Sequence, residues 1–102
     1  MMRETILAVI YAAIDQVNRQ NPDKKPVGKS PETSLFGRAS DLDSLGLINL
    51  VVAIEENVER TLHLPITLVD DRALSAAVSP FATVESLTNY IERLIGERRD
   101  GR

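Results

Sequence analysis

The sequence "DSLGLINLVVAIEENVER" (residues 43–60) carries apolar side chains at the spacing of an amphipathic helix. Asp43 stands at its start as the expected N-cap, because an aspartate side chain accepts hydrogen bonds from the first unpaired N–H groups of a helix. The apolar positions that define the period are Leu45, Ile48, Val51, Val52 and Val58. We therefore predict a helix over residues 44–60.

Helical spacing also occurs on both sides of that segment. Before it, a helix is predicted over about residues 3–20, on the period of Ile6, Ile10, Ala13, Ile14 and Val17. After it, Thr83 is the expected cap of a final helix that stops near Gly96. That helix carries Val84, Leu87, Tyr90, Ile91 and Leu94. A short helix, capped by Asp70 or Asp71 and running through Ala77, is predicted between the last two long helices.

The connecting segments lack these periods. Residues 21–40, "NPDKKPVGKSPETSLFGRAS", hold three prolines and two glycines, so we predict a long loop, pinned by Val27, Leu35 and Phe36. Residues 62–69, "LHLPITLV", resemble a strand, but no partner strand is visible and Pro65 disfavours one. We interpret them as an apolar connector.

Together these elements predict an all-α fold, a small four-helix bundle of three longer helices and one short helix. With 102 residues, 43% hydrophobic and 26% charged, the chain fits one domain. We expect that domain to span residues 1–96, followed by a frayed C-terminal tail over 97–102. The absence of cysteine excludes disulfides and thiolate metal sites, and the single histidine, His63, leaves little for acid–base catalysis. We therefore expect neither a metal site nor an enzyme.

Charge is unevenly distributed along the chain. The net charge of −3 argues against a nucleic-acid partner. Residues 41–71 hold seven acidic side chains and one basic one, so a basic partner would be attracted to that third of the chain. Glu4 falls where a signal peptide needs positive charge, and no apolar run reaches membrane-spanning length. We expect a cytoplasmic monomer that does not insert into membranes.

Ser44 admits four interpretations. It could simply begin the helix, since serine is preferred there. A calcium-binding loop counted from Asp41 fails, because its twelfth position is Val52, which offers no oxygen ligand. A hydrolase triad of Ser44, His63 and Asp70 fails as well, because a helix over 44–60 would be about 25 Å long and would separate serine from histidine. The fourth interpretation is a phosphate ester on Ser44, facing unpaired N–H groups at a helix start.

The fourth interpretation agrees with a resemblance to the acyl and peptidyl carrier proteins. The resemblance is carried by "LDSL" (42–45), "AIEENV" (53–58), "LPI" (64–66) and "FATVESLTNYI" (81–91). Order and spacing hold from about residue 35 to 95, and jointly these pieces are specific although no single one is.

The resemblance implies a protein that carries intermediates and catalyses nothing. Matched residue by residue, Ser44 would be the covalent attachment point of 4′-phosphopantetheine, whose thiol holds an acyl group as a thioester, and Asp43 would position the serine. The implied partners are a phosphopantetheinyl transferase, an acyl-loading ligase or transferase, and ketosynthase-type or acyltransferase enzymes. The helix after the serine would be the recognition surface, with Leu45, Asn49, Glu55, Glu56 and Glu59 as its contact residues. An acyl chain would be sheltered by Ile48, Val52, Ile66, Leu68 and Leu74, although ordinary core packing is the simpler interpretation of those five residues.

Departures from the family pattern favour a specialised carrier. Gly46 and Asn49 stand where many fatty-acid carriers have acids, and segment 67–80 is longer than the usual link. We expect a discrete acyl carrier for a dedicated lipid or polyketide-like pathway. A carrier for an amino acid, loaded by an amino acid ligase, and an unmodified helical interaction module remain alternatives.

Overall fold

The fold is helical throughout the described part of the chain. The computed structural model describes residues 2–20, 22–23, 26–35, 44–68 and 81–101. Within these ranges the helices are α1 (Met2–Gln20), α2 (Ser44–Leu62) and α3 (Val84–Gly101). The described ranges contain no strand, apart from an isolated antiparallel bridge between Ser34 and Thr83. The all-α prediction is confirmed here, while the predicted short helix through Ala77 lies outside the described residues.

The core is built around α1, which packs against both α2 and α3. Each helix contributes one apolar face, as the 3.6-residue period predicts. The fully buried residues of these faces include Ile6, Ile10 and Ile14 on α1, Leu50, Ile54 and Val58 on α2, and Leu87 and Ile91 on α3. Across the described ranges, no helix combines the length and the apolar character that a membrane crossing needs.

The loop after α1 is held by a side-chain amide. Asn18 accepts a hydrogen bond from the Val27 N–H through Oδ1 at 2.9 Å and donates one from Nδ2 to the Val27 carbonyl at 3.1 Å. Val27 and Leu35 are both buried in the core, so these two predicted anchors are confirmed. The third predicted anchor, Phe36, lies outside the described residues.

The start of α3 is capped twice. Thr83 is confirmed as the cap: its Oγ1 accepts from the Ser86 N–H at 3.1 Å, and the Ser86 Oγ accepts from the Thr83 N–H at 3.0 Å. The loop supplies the second cap, because the carbonyl of Thr33 accepts from the Val84 N–H and that of Pro31 from the Glu85 N–H. The long loop therefore caps the N-terminus of a helix that is far from it in sequence.

α2 ends two residues beyond its predicted boundary, at Leu62. His63 follows with a left-handed backbone, φ 56°, and its N–H donates to the Glu59 carbonyl at 2.8 Å. This is the single hydrogen bond of a left-handed helix C-cap, a position that glycine or asparagine usually occupies. Residues 64–68 are neither helix nor strand, as predicted for the connector, whereas Leu62, its predicted first residue, belongs to α2.

The predicted end of the last helix was wrong. α3 continues through Gly96 to Gly101, so residues 97–101 are helical and the boundary of a frayed tail at residue 97 is not observed. Glycine disfavours a helix by about 1 kcal/mol but does not forbid it. Leu94 and Ile95 anchor the preceding turn in the core, and the residues after Gly96 include glutamate and arginine, which are good helix formers.

Candidate functional site

The candidate site begins where α2 begins. Ser44 is the first residue of α2, at the predicted position. The first N–H groups of a helix have no partner within the helix and form the positive end of its dipole. The side chain of Leu45, the next residue, is 66% exposed. The start of α2 therefore lies at the molecular surface, and Asp43, the predicted positioning residue, falls outside the described residues.

Three exposed apolar side chains follow Ser44 on one face of α2. Leu45, Ile48 and Val52 are 66%, 58% and 46% exposed, and their spacing of three and four residues aligns them along the helix. We call these three residues the apolar stripe. Leu50 and Ile54, on the opposite side of α2, are fully buried. Large side chains exposed side by side are typical of interaction surfaces.

The exposure of the apolar stripe corrects one prediction. Ile48 and Val52 were predicted to line an internal acyl cavity, and their exposure shows that this was wrong. The first half of α2 is apolar on nearly every side, so the helical period does not distinguish the face that packs on α1 from the face that meets solvent. Of the other predicted lining residues, Leu68 is fully buried, Ile66 is half-buried and Leu74 lies outside the described residues.

Acidic side chains extend the same face toward the C-terminal end of α2. Glu56 and Glu59 follow Val52 at spacings of four and seven residues, and both are exposed. Asn49, another predicted contact residue, is half-buried beside the apolar stripe. One face of α2 therefore changes from apolar near Ser44 to acidic at its far end.

Glu55 differs from its two acidic neighbours. Its Oε2 accepts a hydrogen bond from the Leu68 backbone N–H at 2.7 Å, and the side chain is half-buried. This contact fastens the connector to α2, and a shallow depression lies beside it. The depression is lined by Glu55, Glu56, Glu59, Pro65 and Ile66. Glu55 therefore has a structural role that the sequence pattern did not indicate, since nothing in that pattern pairs residues 55 and 68.

Other ionisable groups lie apart from this surface. Within the part of the chain that the structure describes, no three histidine, aspartate or glutamate side chains are grouped so as to hold a metal ion. His63 is exposed at the end of α2, well removed from Ser44 at its beginning. Glu32 has a lowered pKa, because the Ser30 hydroxyl and its own backbone N–H hydrogen-bond to its carboxylate, but it lies in the loop.

Comparisons of the chain with protein-family models, with curated proteins and with solved structures each found no match.

Proposed function

We propose that this protein is an acyl carrier that holds its cargo as a thioester on a 4′-phosphopantetheine group attached to Ser44. The observation that carries the proposal is the apolar stripe, which starts at the residue after Ser44 and runs along an otherwise exposed helix face. The resemblance to carrier proteins is the reason for interpreting this surface as the one that partner enzymes recognise.

The position of Ser44 suits a large covalent group. Leu45, the next residue, is 66% exposed, so a group attached to Ser44 would need no cavity of its own. Its phosphate would lie near the first N–H groups of α2, at the positive end of the helix dipole. The group itself supplies a thiol on a flexible arm, which presents one cargo to several enzymes at high effective concentration.

The face of α2 suits recognition by the enzymes that modify, load and unload a carrier. Leu45 and Ile48 offer apolar contact area close to the attachment point, and burying that area against a partner would favour binding. Glu56 and Glu59 offer negative charge farther along, which speeds the approach of a basic partner. The proposed partners are a phosphopantetheinyl transferase, an acyl-loading ligase or transferase, and ketosynthase-type or acyltransferase enzymes.

We propose further that the chain completes the four-helix carrier bundle with a short helix through Ala77, and that it works in the cytoplasm for a dedicated lipid or polyketide-like pathway. An aminoacyl carrier would use the same serine and the same face, because the loading enzyme selects the cargo. Loading assays that offer fatty acids and amino acids to candidate ligases distinguish these two carriers.

The test is incubation with coenzyme A and a phosphopantetheinyl transferase of broad specificity, followed by intact-mass measurement. We expect the native chain to gain the mass of one phosphopantetheine group and the Ser44→Ala variant to gain none. Ser30→Ala is the matched control, because it removes a different hydroxyl and should be modified like the native chain.

The apolar stripe also favours a second candidate, a helical interaction module that is never modified. Such a module would bind a partner through Leu45, Ile48 and Val52 without using the serine. A native chain that stays unmodified while remaining folded by circular dichroism would support this module over the carrier.

A further inference from the structure

A groove between α1 and α2 forms a second surface feature. It has a volume of about 360 Å³, and its α2 side is formed by Asn57, Arg60 and Thr61. None of these three residues lines the acidic depression. Ala8, Val9 and Ala12 form the apolar part of its α1 side. Because these side chains are small, they leave room between the two helices.

The charge of the groove is opposite to that of the whole chain. The chain carries a net charge of −3, yet among the residues that the structure describes, the charged side chains lining the groove are both arginines, Arg19 on α1 and Arg60 on α2. No carboxylate from the described ranges lines it. The groove is therefore a local site of positive charge, although the exposed Glu56 lies one helical turn before Arg60 on α2.

Arg60 is held in place over this groove. Its guanidinium donates a hydrogen bond to Oδ1 of Asn57, and Asn57 is itself buried at 6% exposure. A guanidinium has five N–H donors, so several remain for a ligand. Its planar fork matches the two oxygens of a carboxylate or a phosphate. Gln16 adds an amide to the same lining.

We propose that this groove binds a small organic anion, a carboxylate or phosphate ester attached to a short apolar body. The anionic head would be bound by Arg19 and Arg60, and the body would lie on Ala8 and Ala12. The volume falls within the range of about 300–1,000 Å³ that is usual for small-molecule sites. The proposal is independent of any modification at Ser44.

The test is a titration of the ¹⁵N-labelled full chain, followed by amide chemical shifts. The probes are butyl phosphate and butyrate, which carry the two different anionic head groups. Butanol, which lacks an anionic head, and inorganic phosphate, which lacks an apolar body, are the controls. We expect saturable shifts at residues 5–19 and 57–61 with at least one of the two organic anions. Butanol should produce none, and inorganic phosphate should bind more weakly than butyl phosphate.

Variants make the assignment specific. Arg60→Gln should weaken binding about tenfold, the loss expected for a charge-assisted hydrogen bond. Ala12→Leu should block the groove with a larger side chain, while α1 remains helical. Arg93→Gln removes the same charge from an exposed position on α3 and should bind like the native chain.

Several results would overturn the proposal. They include the absence of saturable shifts with both organic anions, shifts centred on residues 44–48, and an equal loss of affinity in Arg60→Gln and Arg93→Gln. Binding of a glutamate-rich peptide without binding of either small anion would also overturn it, in favour of a protein partner. The Ser44→Ala variant should bind the probes normally, so failure here does not bear on the carrier proposal.

Discussion

The carboxylate of Glu55 accepts a hydrogen bond from the backbone N–H of Leu68 at 2.7 Å, and this contact ties the connector after α2 to the helix itself. Leu68 is fully buried, so the contact sets where the connector enters the core. Glu56 and Glu59 on the same helix are exposed. The three acids of α2 therefore divide into one that stabilises the fold and two that are accessible to a partner.

We expect Glu55→Ala to lower the free energy of unfolding by about 1–3 kcal/mol, because the Leu68 N–H loses its acceptor in a partly buried site. Glu55→Gln keeps an acceptor oxygen and should lose less. Urea denaturation followed by circular dichroism measures both. Glu56→Ala removes the same charge from an exposed neighbour and should change stability by no more than about 0.5 kcal/mol. Equal losses in the alanine variants would show that the Leu68 contact contributes nothing.

Because the apolar stripe is exposed, substitutions in it should affect partner recognition more than the stability of the fold. Ile48→Ser should change the free energy of unfolding by about 0.5 kcal/mol or less, because the side chain is 58% exposed. Ile54→Ala, at a fully buried position on the same helix, should lose about 2–5 kcal/mol. Thermal unfolding of the Ile48→Ser and Ile54→Ala variants measures both changes in stability.

If the stripe contacts partners, Ile48→Ser should also be modified by the transferase more slowly than the native chain. Ala8→Ser, an exposed change on α1, is the control for that rate. A native-like rate of modification for Ile48→Ser would show that this side chain is not part of the recognition surface.

Gly96 lies inside α3, and this predicts a stabilising substitution. A Cβ added at Gly96 would have no atom outside its own helix turn within 4 Å. Gly96→Ala should therefore raise the free energy of unfolding, by up to about 1 kcal/mol, because alanine favours a helix interior over glycine. Chemical denaturation measures the change. A loss of stability would instead indicate that the helix ends at Gly96 with a left-handed backbone.

The loop predicts a pH effect. The pKa of Glu32 is lowered first by the hydrogen bond from the Ser30 hydroxyl and second by its own backbone N–H. A lowered folded-state pKa contributes stability above the unfolded pKa, and that contribution is lost as pH falls through the folded value. Ser30→Ala should raise the pKa of Glu32 toward its ordinary value, measured by carboxyl NMR titration. Ser34→Ala should leave it unchanged, and an unshifted pKa in Ser30→Ala would contradict the assignment.

The sequence was sufficient for the features that repeat locally. The starts of α1 and α2 and the cap at Thr83 follow from apolar period and capping chemistry, which depend on neighbouring residues. The end of α3 was predicted wrongly because a glycine permits a helix end without requiring one.

Some features that depend on tertiary contacts were not predicted, although the burial of Val27 and Leu35 was. Which apolar side of α2 meets α1 is decided by packing, so Ile48 and Val52 were assigned to the wrong face. The Val27 N–H donates to Asn18, 9 residues away, and the Leu68 N–H donates to Glu55, 13 residues away. The helical period relates only residues three or four apart, so it does not indicate either bond.

The most direct measurement of the central proposal is tandem mass spectrometry of the proteolysed chain after reaction with coenzyme A and a phosphopantetheinyl transferase. The proposal predicts one phosphopantetheine group per chain, found on the peptide that contains Ser44 and localised to that residue. A folded chain that gains no mass, or that carries the group on a different residue, would contradict it.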